Sequence, residues 1–282
     1  MPALPMLLTQ WPLLCCRQAV RICVMVVLLL ACSACASKEA YVRPPVAGEA
    51  GQAWETFTSA QMPKGPFRVS ATLRYETPSG ESTRVAALMW GNGSLQDPYP
   101  LRLDIQASIG ITVAKIREDG SSFQAYSPDE KTVYTNEGPN RTLTSFGLPI
   151  PVSLGQLSRL LNGQANALFA PPITSAGTGS REFTLTQRGM AFPVPEAKLP
   201  GIIELSPNGT LLSWRDFGNG WAMEFAMSPN NPRIPERLSV SHPAGYAATI
   251  TVKKMEQLTT PFKNDQLDLT LPGGTSRKPL SQ

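Results

Sequence analysis

The chain has 282 residues and a formal net charge of +4, enough length for one large β domain or two small ones. Its basic residues are scattered, with no run that could track a phosphate backbone, which argues against nucleic acid as a partner. All five cysteines lie in the first 35 residues and His242 is the single histidine, which excludes a disulfide-stapled domain, a histidine-rich metal site and a structural zinc site in the rest of the chain.

The N-terminus reads as a bacterial lipoprotein signal. Arg17 and Arg21 precede an apolar run from Ile22 to Ala31. That is the length of a signal-peptide core, whereas a spanning helix needs roughly 20 residues. Leu29-Leu30-Ala31 before Cys32 has the form of a lipobox, and Cys32-Ser33-Ala34 before Cys35 is a poorer match. The expectation is a signal peptide over 1–31 with Cys32 lipidated and Cys35 as the alternative. An uncleaved N-terminal anchor is the competing reading. Arg17 and Arg21 leave with the signal, so the mature chain is near +2. The residue after the modified cysteine (Ser33, or Ala36) is not Asp, which points to the outer membrane, with the domain on its periplasmic face. Residues 32–47 form a tether stiffened by Pro44-Pro45.

Residues 49–61 carry one apolar helical stripe, Ala50, Ala53, Trp54 and Phe57. From Phe67 the period becomes two. Phe67, Val69, Ala71, Leu73 and Tyr75 alternate with polar residues, and Thr77-Pro78-Ser79-Gly80 is a turn. Further strands are predicted over 82–90, which is apolar on both faces near Leu88, Met89 and Trp90, and then over 101–106, 111–117, 123–126 and 131–135. Pro149 and Pro151 lead into a helix. Ser153 and Gln156 form a capping-box pattern, Leu154, Leu157, Leu160 and Leu161 make one face, and Asn162-Gly163 ends it. Strands return at 181–188, 202–205, 210–214, 221–227, around Leu238 and Val240, and at 246–252, with Pro207-Asn208-Gly209 as a hairpin turn. Residues 189–201 and 228–235 read as Pro-rich loops, and 268–282 as a polar, mobile tail.

These elements predict a mainly β fold. It is a single strongly curved antiparallel sheet, an unclosed barrel of about eleven strands, with lid helices over its mouth and its domain spanning 48–267. Trp90, Leu103, Ile105, Phe123, Tyr126, Trp214, Trp221, Met223 and Phe225 read from pattern alone as core. Catalysis finds little support. His242 precedes Pro243 at a strand end, Glu118-Asp119 and Asp129-Glu130 fall in predicted turns, and no phosphate loop is present. No enzyme, no cofactor and no metal is expected.

Several runs, in this order, resemble the outer-membrane lipoprotein receptor family LolB within the LolA/LolB superfamily. They are Met89-Trp90, Tyr99-Pro100-Leu101-Arg102-Leu103, Ala107-Ser108-Ile109-Gly110, Gly147-Leu148-Pro149-Ile150-Pro151 with the helix after it, Gly220-Trp221, and Pro235-Glu236-Arg237-Leu238. The resemblance covers about residues 50 to 258. It implies that the nine residues above wall a cavity for lipoprotein acyl chains, with Leu154, Leu157, Leu160 and Leu161 on the lid. It implies a monomer that takes lipoproteins from a LolA-like periplasmic carrier and places them in outer-membrane lipid, with Ile109 as the membrane-inserting residue. The chain has Ile where the family has Leu, lacks the preceding Pro, and is longer around 165–180 and 189–201. An envelope-assembly lipoprotein of the same fold, binding another lipid or a protein, is the alternative.

Overall fold

The computed structural model describes residues 46–61, 63–93, 99–107, 110–137, 142–170 and 182–280. The lipidation candidates Cys32 and Cys35, and Ile109, lie outside them. The described strands form one sheet. In chain order they are β1 (Phe67–Glu76), β2 (Ser82–Gly91), β3 (Leu101–Gln106), β4 (Thr112–Glu118), β5 (Ser122–Ser127), β6 (Thr132–Glu137), β7 (Thr184–Leu185), β8 (Met190–Val194), β9 (Gly201–Leu205), β10 (Leu211–Arg215), β11 (Ala222–Ser228), β12 (Asn231–Ser241), β13 (Ala247–Gln257) and β14 (Ser276–Pro279). The helices are α1 (Ala50–Thr58), α2 (Leu154–Leu161), α3 (Asn166–Phe169) and α4 (Asn264–Leu267). Among the described residues no helix is long and apolar enough to cross a membrane.

The spatial order is β14-β6-β5-β4-β3-β2-β1-β13-β12-β11-β10-β9-β8-β7. Hairpins make nearly all of it, and β1 pairs with β13 to join the two halves. The order is linear, with β14 and β7 as separate edges, so the sheet is not closed. All pairs are antiparallel except β14 with β6. The sheet must bend, because α2 packs against both β3 and β12, which are separated by β2, β1 and β13. A helix about 10 Å wide reaches both only if strands spaced about 4.8 Å apart curl round it. Register shifts at Ser70/Ala71, Ile105/Gln106 and Ala226/Met227 place bulges where such bending is needed.

Period-two patterning sets the inner face. Ala125, Ile116, Leu103, Met89 and Val69 lie in one cross-strand row, and Leu73, Ile250, Leu238 and Phe225 in another. All nine are buried.

Three segments differ from the sequence expectation. The Pro-rich stretch 189–201 contains β8, whose Met190, Phe192 and Val194 are buried and whose Pro193 pairs opposite Ile202. Its Phe192 ring meets Trp54 of α1 at 5.1 Å. The stretch 228–235 contains the start of β12, bulged around Pro235. Part of the expected tail is β14, laid parallel to β6 through Ser276 to Pro279. A proline-containing strand next to a short edge strand loses few ladder bonds, which is how β8 escapes a reading based on proline.

Leu160 of α2 is 1% exposed. Leu160→Ala is expected to lower unfolding free energy by about 2–5 kcal/mol in a urea titration; an unchanged midpoint would contradict its place in the core.

Candidate functional site

Helix α2 does not rest on the sheet as a surface lid. Residues 157–166 are buried without interruption, so the helix and its C-terminal turn fill the concavity as a plug. Its sequence determines where it begins. Ser153 Oγ accepts from Gln156 N at 3.1 Å, and Gln156 Oε1 accepts from Ser153 N at 2.9 Å. It ends at Asn162-Gly163, where Gln164 N donates to Arg159 O at 2.8 Å.

A small void remains between plug and sheet. It measures about 30 Å³ and is walled by apolar side chains, among them Val69, Met89, Leu103, Ile105, Leu157 and Leu161. A space of that size takes a water or two by volume, but a wall without polar partners does not hold them. It is also far too small for an acyl chain while α2 stays in place.

The plug brings polar groups inside, and most are met, the exception being the buried Asn162 Nδ2, which has no partner among the described residues while Asn162 Oδ1 accepts from Gln257 Nε2. Tyr99 OH and Ser158 Oγ are 3.0 Å apart, with Ser158 Oγ donating to Gly155 O at 2.8 Å. Arg159 Nη1 donates to Gln164 Oε1 at 3.2 Å, and its guanidinium lies 5.7 Å from the Tyr99 ring centre. Asn166 Nδ2 donates to Ala60 O at 2.8 Å, tying the turn after the plug to the segment that follows α1.

The N-terminus of α2 rests on one buried carboxylate. Glu118, at the end of β4, accepts from Leu154 N at 3.1 Å and Gly155 N at 3.4 Å. A Cβ at position 155 would sit 3.1 Å from Glu118 Oε1, so a larger residue there would push the carboxylate by a few tenths of an ångström. Burial pushes the Glu118 carboxyl up to about 7, against the lowering effect of these two backbone donors and with a further push from Asp119. Asp119 itself is held below the usual carboxylate range. Burial acts upward there, but hydrogen bonds from Ser121, Arg117 and Ser122 outweigh it.

The predicted cavity residues divide into four groups. Leu103 and Ile105 line the void. Phe123, Trp214, Met223 and Phe225 are buried in the core but are not on its wall. Trp90 and Tyr126 are corrections, since both stand on the outer face. Alternation in β2 turns Val85, Ala87 and Met89 inward, leaving Trp90 to the other side, where its Nε1 donates to Gln266 O at 3.1 Å. Tyr126 lies opposite Lys115 and Val133, next to the inward Ala125. Trp221 is a third correction. It sits at the β10–β11 turn, its ring 4.6 Å from His242 and 6.3 Å from Tyr246. Leu154, Leu157, Leu160 and Leu161 are all buried in the plug.

His242 serves its own turn. Its Nδ1 accepts from Ala244 N at 3.1 Å, so Nε2 is the protonated nitrogen and donates to Asn219 O at 2.7 Å. Next to the undescribed Ile109, the β3–β4 turn is closed by Ala107 N donating to Ile111 O at 2.8 Å, and Ile111 is 56% exposed.

Sequence reasoning missed Glu118, assigned to a solvated turn, and the strap formed by residues 258–280. The strap crosses the outer face of β2–β6. Asn92 Nδ2 donates to Phe262 O at 2.9 Å, Arg117 Nε pairs with Asp268 Oδ1 at 3.1 Å, Arg102 donates to Asp268 O, and Leu267 is buried. The outward Trp90-Arg102 pair, with the guanidinium 5.1 Å from the ring centre, was the available signal.

No family model matches the sequence, and no curated protein matches it. Solved structures that align with the chain include a LolA superfamily protein, NE2245, from Nitrosomonas europaea, at 9% identity and a TM-score of 0.48, covering 78% of this chain and 97% of that one. A putative outer membrane lipoprotein-sorting protein domain from Vibrio parahaemolyticus aligns at 10% identity and 0.45, covering 77% and 94%. A DUF1329 family protein from Desulfovibrio piger aligns at 10% and 0.44, covering 80% and 98%.

The Glu118 junction has a pH signature. Its folded value, about 7, is above its ordinary 4.5. Its contribution to stability is therefore full below about pH 4.5 and is lost as pH rises through 7, a change of about 3 kcal/mol. Asp119 and Glu204, both held low, act with the opposite sign. The measurement is the stability of the native chain minus that of Glu118→Gln, expected to fall across pH 4.5 to 8; a flat difference would contradict the buried-carboxylate account.

Proposed function

We propose that this protein binds hydrocarbon chains non-covalently between the concave face of its sheet and α2, and that its cargo is lipoprotein. The observation that carries this reading is the void beneath the plug, walled by Val69, Met89, Leu103, Ile105, Leu157, Leu161 and other apolar side chains. The resemblance of residues 50–258 to the LolB family supports it. On this reading the chain is tethered through Cys32, or Cys35, to the periplasmic face of the outer membrane, accepts lipoproteins from a periplasmic carrier and passes them to the bilayer. No bond is made or broken in the transfer.

Loading requires α2 to move, because the closed interior has no room for a chain. Exposing four buried leucines costs roughly 6–12 kcal/mol, and burying about fifteen methylenes of one acyl chain gains about 12 kcal/mol. The two states are therefore close in free energy, and contact with a carrier or a bilayer is enough to tip the balance. The connections at both ends of the helix suit such a movement. Its N-terminus depends on Glu118 and its C-terminus on Gln164 and Asn166, with no covalent tie beyond the chain itself. The β3–β4 turn, with Ile109 and the exposed Ile111 and Val113, is the part that enters lipid.

The test is photo-crosslinking. A benzophenone amino acid replaces Leu157 in the full chain, with the same substitution at the exposed Leu185 as control, and a triacylated lipopeptide is added. Crosslinking from position 157 and none from 185 is expected. Equal labelling at both positions, or none at 157 in protein that remains folded, would overturn the reading and leave a membrane-tethered scaffold.

A further inference from the structure

A second cavity lies away from the plug void, at the end of the sheet where the β9–β10 turn meets α1. Its volume is about 150 Å³. Phe57, Leu211 and Met227 supply its apolar lining, and Asn208, Thr210 and Arg233 its polar lining. The site is built by a close approach. Gly209 has φ +77, and a Cβ there would lie 2.7 Å from Ala53 O and 2.9 Å from Thr56 Cβ, so only glycine lets the turn close against the helix. Arg233 is anchored, since its Nη1 donates to Gln61 O at 3.0 Å. A guanidinium carries five donors in a fixed fork, and its geometry matches a carboxylate. Among the described residues lining the pocket, Arg233 is the charged one and no carboxylate lines it.

From these features we infer that the pocket binds a medium-chain alkyl carboxylate, its tail against Phe57, Leu211 and Met227 and its head on Arg233. An apolar cavity of about 150 Å³ accommodates a benzene-sized group, which corresponds to a tail of about six carbons. Met227 adapts the wall to a flexible chain. A longer chain would project into solvent, so the occupant is a short soluble amphiphile rather than a bilayer lipid. The inference does not depend on α2 opening, because the pocket is already present with the plug in place.

The full chain in phosphatidylcholine nanodiscs is labelled with diazirine-bearing octanoate, or with the matching octanol, and the adducts are mapped by mass spectrometry. The octanoate probe is expected to label peptides containing Phe57, Leu211 or Met227. Arg233→Gln should reduce that labelling about tenfold and leave octanol labelling unchanged. Since Arg233 is exposed, this variant keeps the fold, which circular dichroism verifies. Labelling confined to peptides around Leu103 and Leu157, equal response of the two probes to Arg233→Gln, or no labelling at all would overturn the inference. None of these results depends on the lipopeptide crosslink from position 157.

Discussion

Burial of α2 inside the curve of the sheet is the constraint on which the rest of the structure depends. A sheet with one apolar face must cover it. Here the sheet is too long and too bent to pack flat on a partner layer, so it wraps an element of its own chain. Four leucines of one short helix do most of the covering, and they meet residues from both halves of the sheet, since Leu103 and Ile250 share the wall with Leu157 and Leu161. The β1–β13 ladder joins the two runs of hairpins, and the helix packs across that join on the concave side.

Placing a whole helix in the interior imposes a polar requirement. Its first backbone N–H groups and last carbonyls have no partners within the helix. Ser153 and Gln156 satisfy the start, and Glu118 supplies two further acceptors. The same burial that puts Glu118 in place raises its pKa, so its charge at neutral pH depends on small changes in its surroundings. A carboxylate at a helix N-terminus is favourable when ionised, and a buried carboxyl favours being neutral. The junction holds these two tendencies nearly in balance. The outer face solves a different problem. Arg102 pairs with Asp104 and Arg117 with Asp119 there, all four side chains 10–19% exposed, beneath the strap that ends in β14. The exposed Lys254–Glu256 pair on β13 shows the ordinary solvent-facing alternative.

How much of this was legible in the sequence follows from which signals are local. Alternation in 67–76 and 101–106, the Ser153–Gln156 box and the Asn208-Gly209 turn are local, and each stands where its residues indicate. The unclosed sheet follows from those strands and their hairpins. The positions that misled are those where both faces of a strand are apolar or covered. In β2, Leu88, Met89 and Trp90 gave no periodicity, and only the register opposite β1 and β3 shows that Met89 faces in and Trp90 out. β8 was hidden by its proline, and β14 by its polar composition, because an edge strand such as β14 is defined by its neighbour and not by its own apolar content. Glu118 followed by Asp119-Gly120 looks like a turn, and Asp119 does make one, but Glu118 is one residue earlier and points inward. A difference of one residue separates a solvated acid from the support beneath a buried helix.

The near-filled interior bears on what kind of binder this fold can be. A permanently open cavity would forfeit contacts along its whole lining. This chain avoids that loss by occupying the space with its own leucines. On the proposed reading, ligand and helix are alternatives for one apolar surface, and affinity for a chain is the difference between two large burial terms. A site of that kind would bind weakly and release readily, which is what the proposed transfer requires. On the same reading control would lie at the helix ends, held by hydrogen bonds of Glu118, Gln164 and Asn166. The separate pocket beneath Arg233 has no such competitor. Its walls come from α1, the β9–β10 turn, Met227 of β11, the start of β12 and the turn that ends the plug (Gly163, Ala165 and Asn166), and its space is open while the plug is seated. The two apolar spaces therefore differ in kind, one made by displacing the chain's own side chains and the other already formed. On the proposed reading α2 must move to open the first, whereas the second is formed with α2 seated and shares its C-terminal turn.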